Sequence, residues 1–262
     1  MQQFEQNSES ASSESPQPIS PLLTRLSNAL AAPGELFEEL RGSRVMHANW
    51  LVPALLFILS SWFAAALLIS SESVRQQISQ LATQAIEEQV QAGKMQPAQA
   101  GAARDAAGKW AVVGAMMGMT MGPVFSAFIS PFGWGVIIWL GVKVMKGATA
   151  FMKAVEVAGL ANTVLVLEPI VRALLVLGLG NVLVSPSLAL LVREFDPRNP
   201  VHGLLSACNL IILWAVAVKG VGLAKLAGVR FAKAALWVFG CWVCYTGFFI
   251  GIGLAMRAIF AR

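Results

Sequence analysis

The sequence predicts an all-α membrane protein: a bundle of five transmembrane helices with N-terminal interfacial helices and an external amphipathic helix. Three observations point there. The 262 residues are 56% hydrophobic and 13% charged, with a mean hydropathy of +0.67, whereas soluble domains carry roughly 25% charged residues. Several apolar runs reach the roughly 20 residues that a helix needs to cross a hydrocarbon core. The run Phe151–Leu183, FMKAVEVAGLANTVLVLEPIVRALLVLGLGNVL, carries Glu156, Glu168 and Arg172 and contains Pro169. A charge at bilayer depth costs about 2.5–3.5 kcal/mol on the most lenient scale, so such residues should face other helices or a wet cavity.

Taken in order, residues 1–20 are polar, Ser-rich and Pro-containing. They cannot bury enough apolar surface to offset ordering and are expected to be disordered. A basic region followed by an apolar run, the mark of a secretory signal, is missing there. Residues 21–46 read as a helical hairpin broken at Pro33-Gly34. Leu22, Leu23, Leu26, Ala29 and Leu30 share one face; Leu36, Phe37 and Leu40 form the next. Glu35, Glu38 and Glu39 stand where a helix N-terminus favours carboxylates. The hairpin can lie on the membrane with its apolar side down, or pack on the end of the bundle.

Residues 47–262 form the five-span domain, with spans at about 49–70, 120–144, 153–183, 202–226 and 231–260. Between the first two, Ser71–Lys109 repeats Val74, Ile78, Leu81 and Ala85 among Gln, Glu and Ser, an amphipathic helix outside the membrane. Gly93 breaks it and Pro97 restarts it, Pro being favoured at a first helical position. Residues 110–146 can be one span or two. The piece after Pro131 holds about a dozen apolar residues, about 18 Å of helix, which is short of the core. One span kinked near Pro131 is the expectation. Gly114, Gly118 and Gly122, and in the fifth span Gly247 and Gly251, are spaced for close helix packing in lipid.

Basic residues near span ends set orientation. Five spans place ten of them on the N-terminal side and eight on the other. The turns after the second and fourth spans, Lys219–Lys233 among them, are basic and short, so the N-terminus is expected in the cytoplasm. The net charge of +5 fits contact with anionic lipid headgroups and gives no reason to expect nucleic acid.

Few residues can carry chemistry. His47 and His202 fall at opposite membrane faces and cannot share a metal. Cys241 and Cys244 have redox-motif spacing but lie inside a span, and buried thiols are the simpler expectation. Met116, Met117, Met119 and Met121 point around a helix, which suits packing better than a soft-metal site. No cofactor, metal site or catalytic set is expected, and the chain is not read as an enzyme. The sharpest feature is Glu168 with Arg172, four apart on one helix face. With Asn162 and Asn209 they make a candidate intramembrane polar site. It is either a structural ion pair, the preferred reading, or a substrate or proton site. Glu168 lies about 22 Å along the helix from Lys153, and Glu156 is expected to be solvated beside that lysine.

Three stretches carry a family resemblance: LSNALAAPGELFEELR, GATAFMKAVEVAGLAN, and LLSACNLIILWAVAVKGVGLAKLAGVRFAKAALWVFGCWV. They resemble the pre-membrane helix, the Gly-rich turn with the third span, and the last two spans of the Ypt-interacting protein (Yip) family, in its bacterial five-span branch. Trp214, Gly220, Gly222 and the Lys233-Ala234 step fall where the family has its Trp, Gly and Lys-Ala. The chain departs from the pattern at Asn209, where members commonly carry Asp, and near Thr163, where they carry Pro. The resemblance implies a non-enzymatic integral membrane scaffold or adaptor. It would sit in the bacterial inner membrane and bind lipids, a membrane or cytoplasmic protein partner, and possible further copies of itself. Eukaryotic members resemble adaptors for prenylated small GTPases, a property that does not carry over to this chain. The alternative is a small transporter or channel built on Glu168 and Arg172. Converging polar groups in a wet cavity would favour transport; a solid Gly/Ala-packed core would favour a scaffold.

Overall fold

Ten helices account for most of the described residues of this computed structural model, which are 19–193, 195–196 and 199–260. All but the last two residues of the expected disordered tail lie outside them. Among the described residues no strand forms; one isolated bridge joins Ser187 and Asn209.

Helices α1 (Leu22–Ala31) and α2 (Pro33–Arg41) form the hairpin. Pro33 opens α2, Glu35 lies in its first turn and Arg41 in its last, a charge order that suits the helix dipole. Glu39 accepts from the Ser20 N–H at 2.5 Å and from its hydroxyl at 3.0 Å. Leu26, Ala29, Leu36, Phe37 and Leu40 are buried in one cluster with Val157, Leu160 and Leu223. The hairpin therefore packs on the end of the bundle. Burying a Leu or Phe is worth about 1.5–3 kcal/mol, so three such residues at zero exposure in α2 hold it firmly.

The first span, α3 (Ala48–Ser70), passes into α4 (Glu72–Gln91). Arg75 ties the junction, donating to the Ile69 carbonyl at 2.6 Å and pairing with Glu72. The turn after α4 uses Gly93 at φ +68°, a conformation that costs glycine nothing. Pro97 then opens α5, Pro97–Val144, a single helix of 48 residues. Its N-terminal half runs back along α4: an added Cβ on Gly108 would come within 2.5 Å of the Ser79 hydroxyl, and Arg104 pairs with Glu87 at 3.7 Å. Residues 110–144 thus lie in one helix, as a single span requires, with Pro123 and Pro131 inside it.

The third span is α6 (Phe151–Ala161), a 3₁₀ segment (Asn162–Val166) and α7 (Leu167–Leu179). Pro169 explains the tightening. It has no N–H and its ring crowds the carbonyl four residues back, which falls in the 3₁₀ segment. Gly180 at φ +65° ends α7. The fourth segment was expected as one helix over 202–226. It is two, α8 (Pro200–Ala207) and α9 (Leu210–Ala227). The Asn209 Oδ1 accepts from the N–H groups of Ile211 at 3.0 Å and Ile212 at 3.3 Å, so Asn209 caps α9. After Gly228 comes α10, Phe231–Phe260. Among the described residues five helical segments are long and apolar enough to cross a membrane: α3, α5, α6–α7, α9 and α10.

Close approaches fix the centre. A Cβ on Gly159 would come within 2.3 Å of the Trp50 Cα; one on Gly222 would meet Val157 at 2.2 Å and Phe37 at 3.3 Å. One on Gly135 would meet Val155 at 2.6 Å. Without other drive, helices in lipid associate through such van der Waals contact. α10 is the peripheral helix, attached through Ala234, Val238 and a Trp237 Nε1–H bond to the Ile137 carbonyl at 3.0 Å.

Candidate functional site

The first turn of α7 carries Glu168, and one turn on stands Arg172. Both line a cavity of about 520 Å³ between α3, α4, α5 and α7. Its remaining wall is apolar apart from Ser61, including Phe57, Leu68, Ile78, Met119 and Val176. The Asn209 side-chain amide donates to Glu168 Oε1 at 3.2 Å. One asparagine thus caps α9 with its oxygen and holds α7 with its nitrogen.

The expected ion pair is not made. Among the described residues Glu168 and Arg172 form no salt bridge, and the exposed Arg172 side chain has no hydrogen-bond partner. Helical spacing puts the two on one face, but the carboxylate is turned to Asn209 on another helix. Asn162 does not join the site: its amide donates to the Ser130 hydroxyl at 3.2 Å, in the 3₁₀ segment. The expected packing glycines also differ. A Cβ on Gly114, Gly118, Gly122, Gly247 or Gly251 would meet nothing within 4 Å, so inside one chain they are not helix contacts. Gly118 lines the cavity instead.

A second polar group lies at the hairpin end. Glu156 is fully buried, correcting the expectation that it is solvated. Its Oε1 accepts from the Asn49 amide and from the Met46 N–H at 3.3 Å. The Lys153 ammonium stands 2.5 Å from Oε2, at an angle outside that of a hydrogen bond. Lys153 also donates to the Ser43 hydroxyl at 3.1 Å and the Arg44 carbonyl at 3.3 Å. Arg25 of α1 reaches Asn49 Oδ1 at 2.5 Å. Two cations and one carboxylate thus join α1, α3, α6 and the segment after α2. Only the i,i+3 spacing of Lys153 and Glu156 marked this group in the sequence.

Lys219 was missed as well. It counted as a basic residue of the turn after the fourth span, yet it is 1% exposed in the middle of α9. Its Nζ lies 5.1 Å from the Trp134 ring centroid, a cation–π contact. The visible signal was a lysine inside IILWAVAVKGVGLA. Setting it aside leaves nine basic residues against eight in the orientation count. Cys241 is half-buried and Cys244 exposed, both as free thiols, so neither is the fully buried thiol expected. No group of three His, Cys, Asp or Glu among the described residues could hold a metal ion.

These features define a multi-pass helical membrane protein with its main apolar core packed against the hairpin and a cavity at the other end of its third span. A family model, the Yip1 domain, matches residues 28–253. The chain belongs to the Yip1 family, as its three resembling stretches led one to expect. No curated protein and no solved structure matches it.

Proposed function

We propose that the protein is a non-enzymatic membrane scaffold or adaptor that binds partner proteins or lipids and organises the membrane around it. One observation carries this. The hairpin is built into the body of the bundle: Phe37 of α2 lies against Gly222 of α9 and, through it, Val157 of α6. The core there is packed with Leu, Phe, Val and Ala beside the buried Lys153, Glu156, Asn49 and Arg25 group. It gives a rigid platform whose outer face, with Leu23 80% exposed, is free to meet a partner. The basic-residue balance supports a cytoplasmic position for this platform; family membership supports a multi-pass membrane location, and the resemblance to the bacterial branch is the ground for reading that membrane as a bacterial inner membrane.

The test is purification in mild detergent alongside reconstitution into proteoliposomes. A protein partner retained in stoichiometric amount, and lost on Leu23→Glu, is the expected result. A solute- or proton-dependent flux with no retained partner would overturn it. The cavity at Glu168 and Arg172 favours a second reading, a small transporter, for which that flux is the deciding measurement.

A further inference from the structure

We propose that the cavity between α3, α4, α5 and α7 is a binding site for one phospholipid with a primary-ammonium zwitterionic headgroup, its phosphate on Arg172 and its ammonium on Glu168. This goes beyond the scaffold reading, which turns on a retained protein partner, so the two can fail separately.

Charge complementarity selects the headgroup. The cavity wall presents one guanidinium and one carboxylate, a helical turn apart, that feel each other's charge but stand beyond salt-bridge distance. Arg172 has no hydrogen-bond partner among the described residues, and Glu168 spends one oxygen on Asn209. A guanidinium fork matches a phosphate and binds it by two charge-assisted hydrogen bonds. A primary ammonium has three N–H donors for the free carboxylate oxygen. A quaternary ammonium has none, and an uncharged headgroup leaves Glu168 facing the phosphate.

Depth and wall select a lipid over the free headgroup. From Phe151 to Arg172 the helix rises about 32 Å, close to the roughly 30 Å thickness of the hydrocarbon core. Both charges therefore stand near the membrane boundary opposite the hairpin, the level of phospholipid headgroups. From Leu68 the apolar wall continues along α3 to Phe57, about 16 Å toward the membrane centre, which suits an acyl chain. The volume of about 520 Å³ lies in the usual range of ligand pockets.

The test is native mass spectrometry of the full-length protein, delipidated in detergent. It is offered phosphatidylethanolamine, phosphatidylcholine and phosphatidylglycerol with matched acyl chains. One phosphatidylethanolamine retained per chain, with about tenfold preference over the other two, is expected from one added charge-assisted hydrogen bond. Glu168→Gln should erase the preference over phosphatidylcholine. Arg172→Gln should abolish retention. Gly118→Phe should fill the cavity and abolish retention in a protein that still folds, because nothing lies within 4 Å of a Cβ there; it decides the matter if Arg172→Gln does not fold. Equal retention of all three lipids, or unchanged retention in Gly118→Phe, overturns the proposal. So does soluble phosphoethanolamine binding as tightly as the lipid.

Discussion

Gly159 of α6 lies directly against Trp50 of α3: a Cβ added to the glycine would stand 2.3 Å from both the Trp50 Cα and its Cβ. Backbone is on the far side of this contact, so no rotamer change can relieve it. Gly159→Ala gains roughly 1 kcal/mol of helix propensity but forces two spans apart. Overpacking of this kind costs about 1–3 kcal/mol. The expected outcome is a lower melting temperature in detergent, with Gly159→Leu failing to fold.

Gly118 gives the opposite expectation. Its Cβ meets nothing, so Gly118→Leu should leave monomer melting within about 0.5 kcal/mol of wild type. Detergent melting together with oligomer size checks this. A shift in oligomer size alone would place Gly118 between copies of the chain.

The Glu156 carboxylate should be the most sensitive charge in the protein. Removing one partner of a buried pair costs about 3–5 kcal/mol, because the other charge is left uncompensated. Glu156→Ala leaves Lys153, 6% exposed, without its carboxylate, and breaks the chain that joins Arg25, 3% exposed, to it through Asn49. The double change Glu156→Leu with Lys153→Met should restore part of the loss. A denaturation series on the two singles and the double checks it; strictly additive losses would show that the two do not interact.

Glu38 and Lys225 make a contact that pH can test. The Lys225 ammonium donates to Glu38 Oε2 at 2.8 Å. That hydrogen bond, then the lysine's charge, holds the Glu38 carboxyl below its ordinary value, with Arg41 adding to the effect. A group whose value is lowered on folding favours the folded state above its unfolded value. That stabilisation is lost as pH falls through the lowered one. Both side chains are exposed, so the contribution is under about 1 kcal/mol. Melting followed from neutral pH to below the carboxylate range should fall more steeply in wild type than in Lys225→Met, and less so at high salt.

Topology has its own test. Reporter fusions after residue 45 and near residue 90 flank the apolar α3, Ala48–Ser70, and should report opposite sides, the first in the cytoplasm. The same side for both would sink the five-span arrangement.

Much of this fold was legible because its signals are local. Gly93 and Pro97 mark the end of α4 and start of α5 by backbone chemistry alone, and span lengths follow from apolar runs. The site was legible in position but not in pairing. Glu168 and Arg172 share a helix face, but the partner that decides their geometry, Asn209, comes from another helix. Its capping role hides in an apolar stretch. The glycines show the same limit. Gly114, Gly118 and Gly122 have the right spacing, yet Gly159 and Gly222 make the contacts, because only the assembled bundle decides which small residue meets a neighbour. Glu156 misled for a related reason: charge near a span end looks like solvent contact until other segments fold over it, whereas Lys219, in the middle of α9, is hidden against Trp134 of α5.

The 48-residue helix α5 is about 72 Å long, against roughly 30 Å of hydrocarbon. Roughly 40 Å of it must project from the bilayer, braced by α4 and tipped by the Gly93 turn. Its hydrogen-bond ladder lacks the rungs of Pro123 and Pro131, which carry no N–H, so it is one lever with two softer points. Force applied at the exposed tip passes the cavity mouth and these two prolines before it reaches Gly141, where the rod bears on Leu223 and Trp237. A molecule docked on the tip would thus be mechanically in series with the opposite face of the membrane.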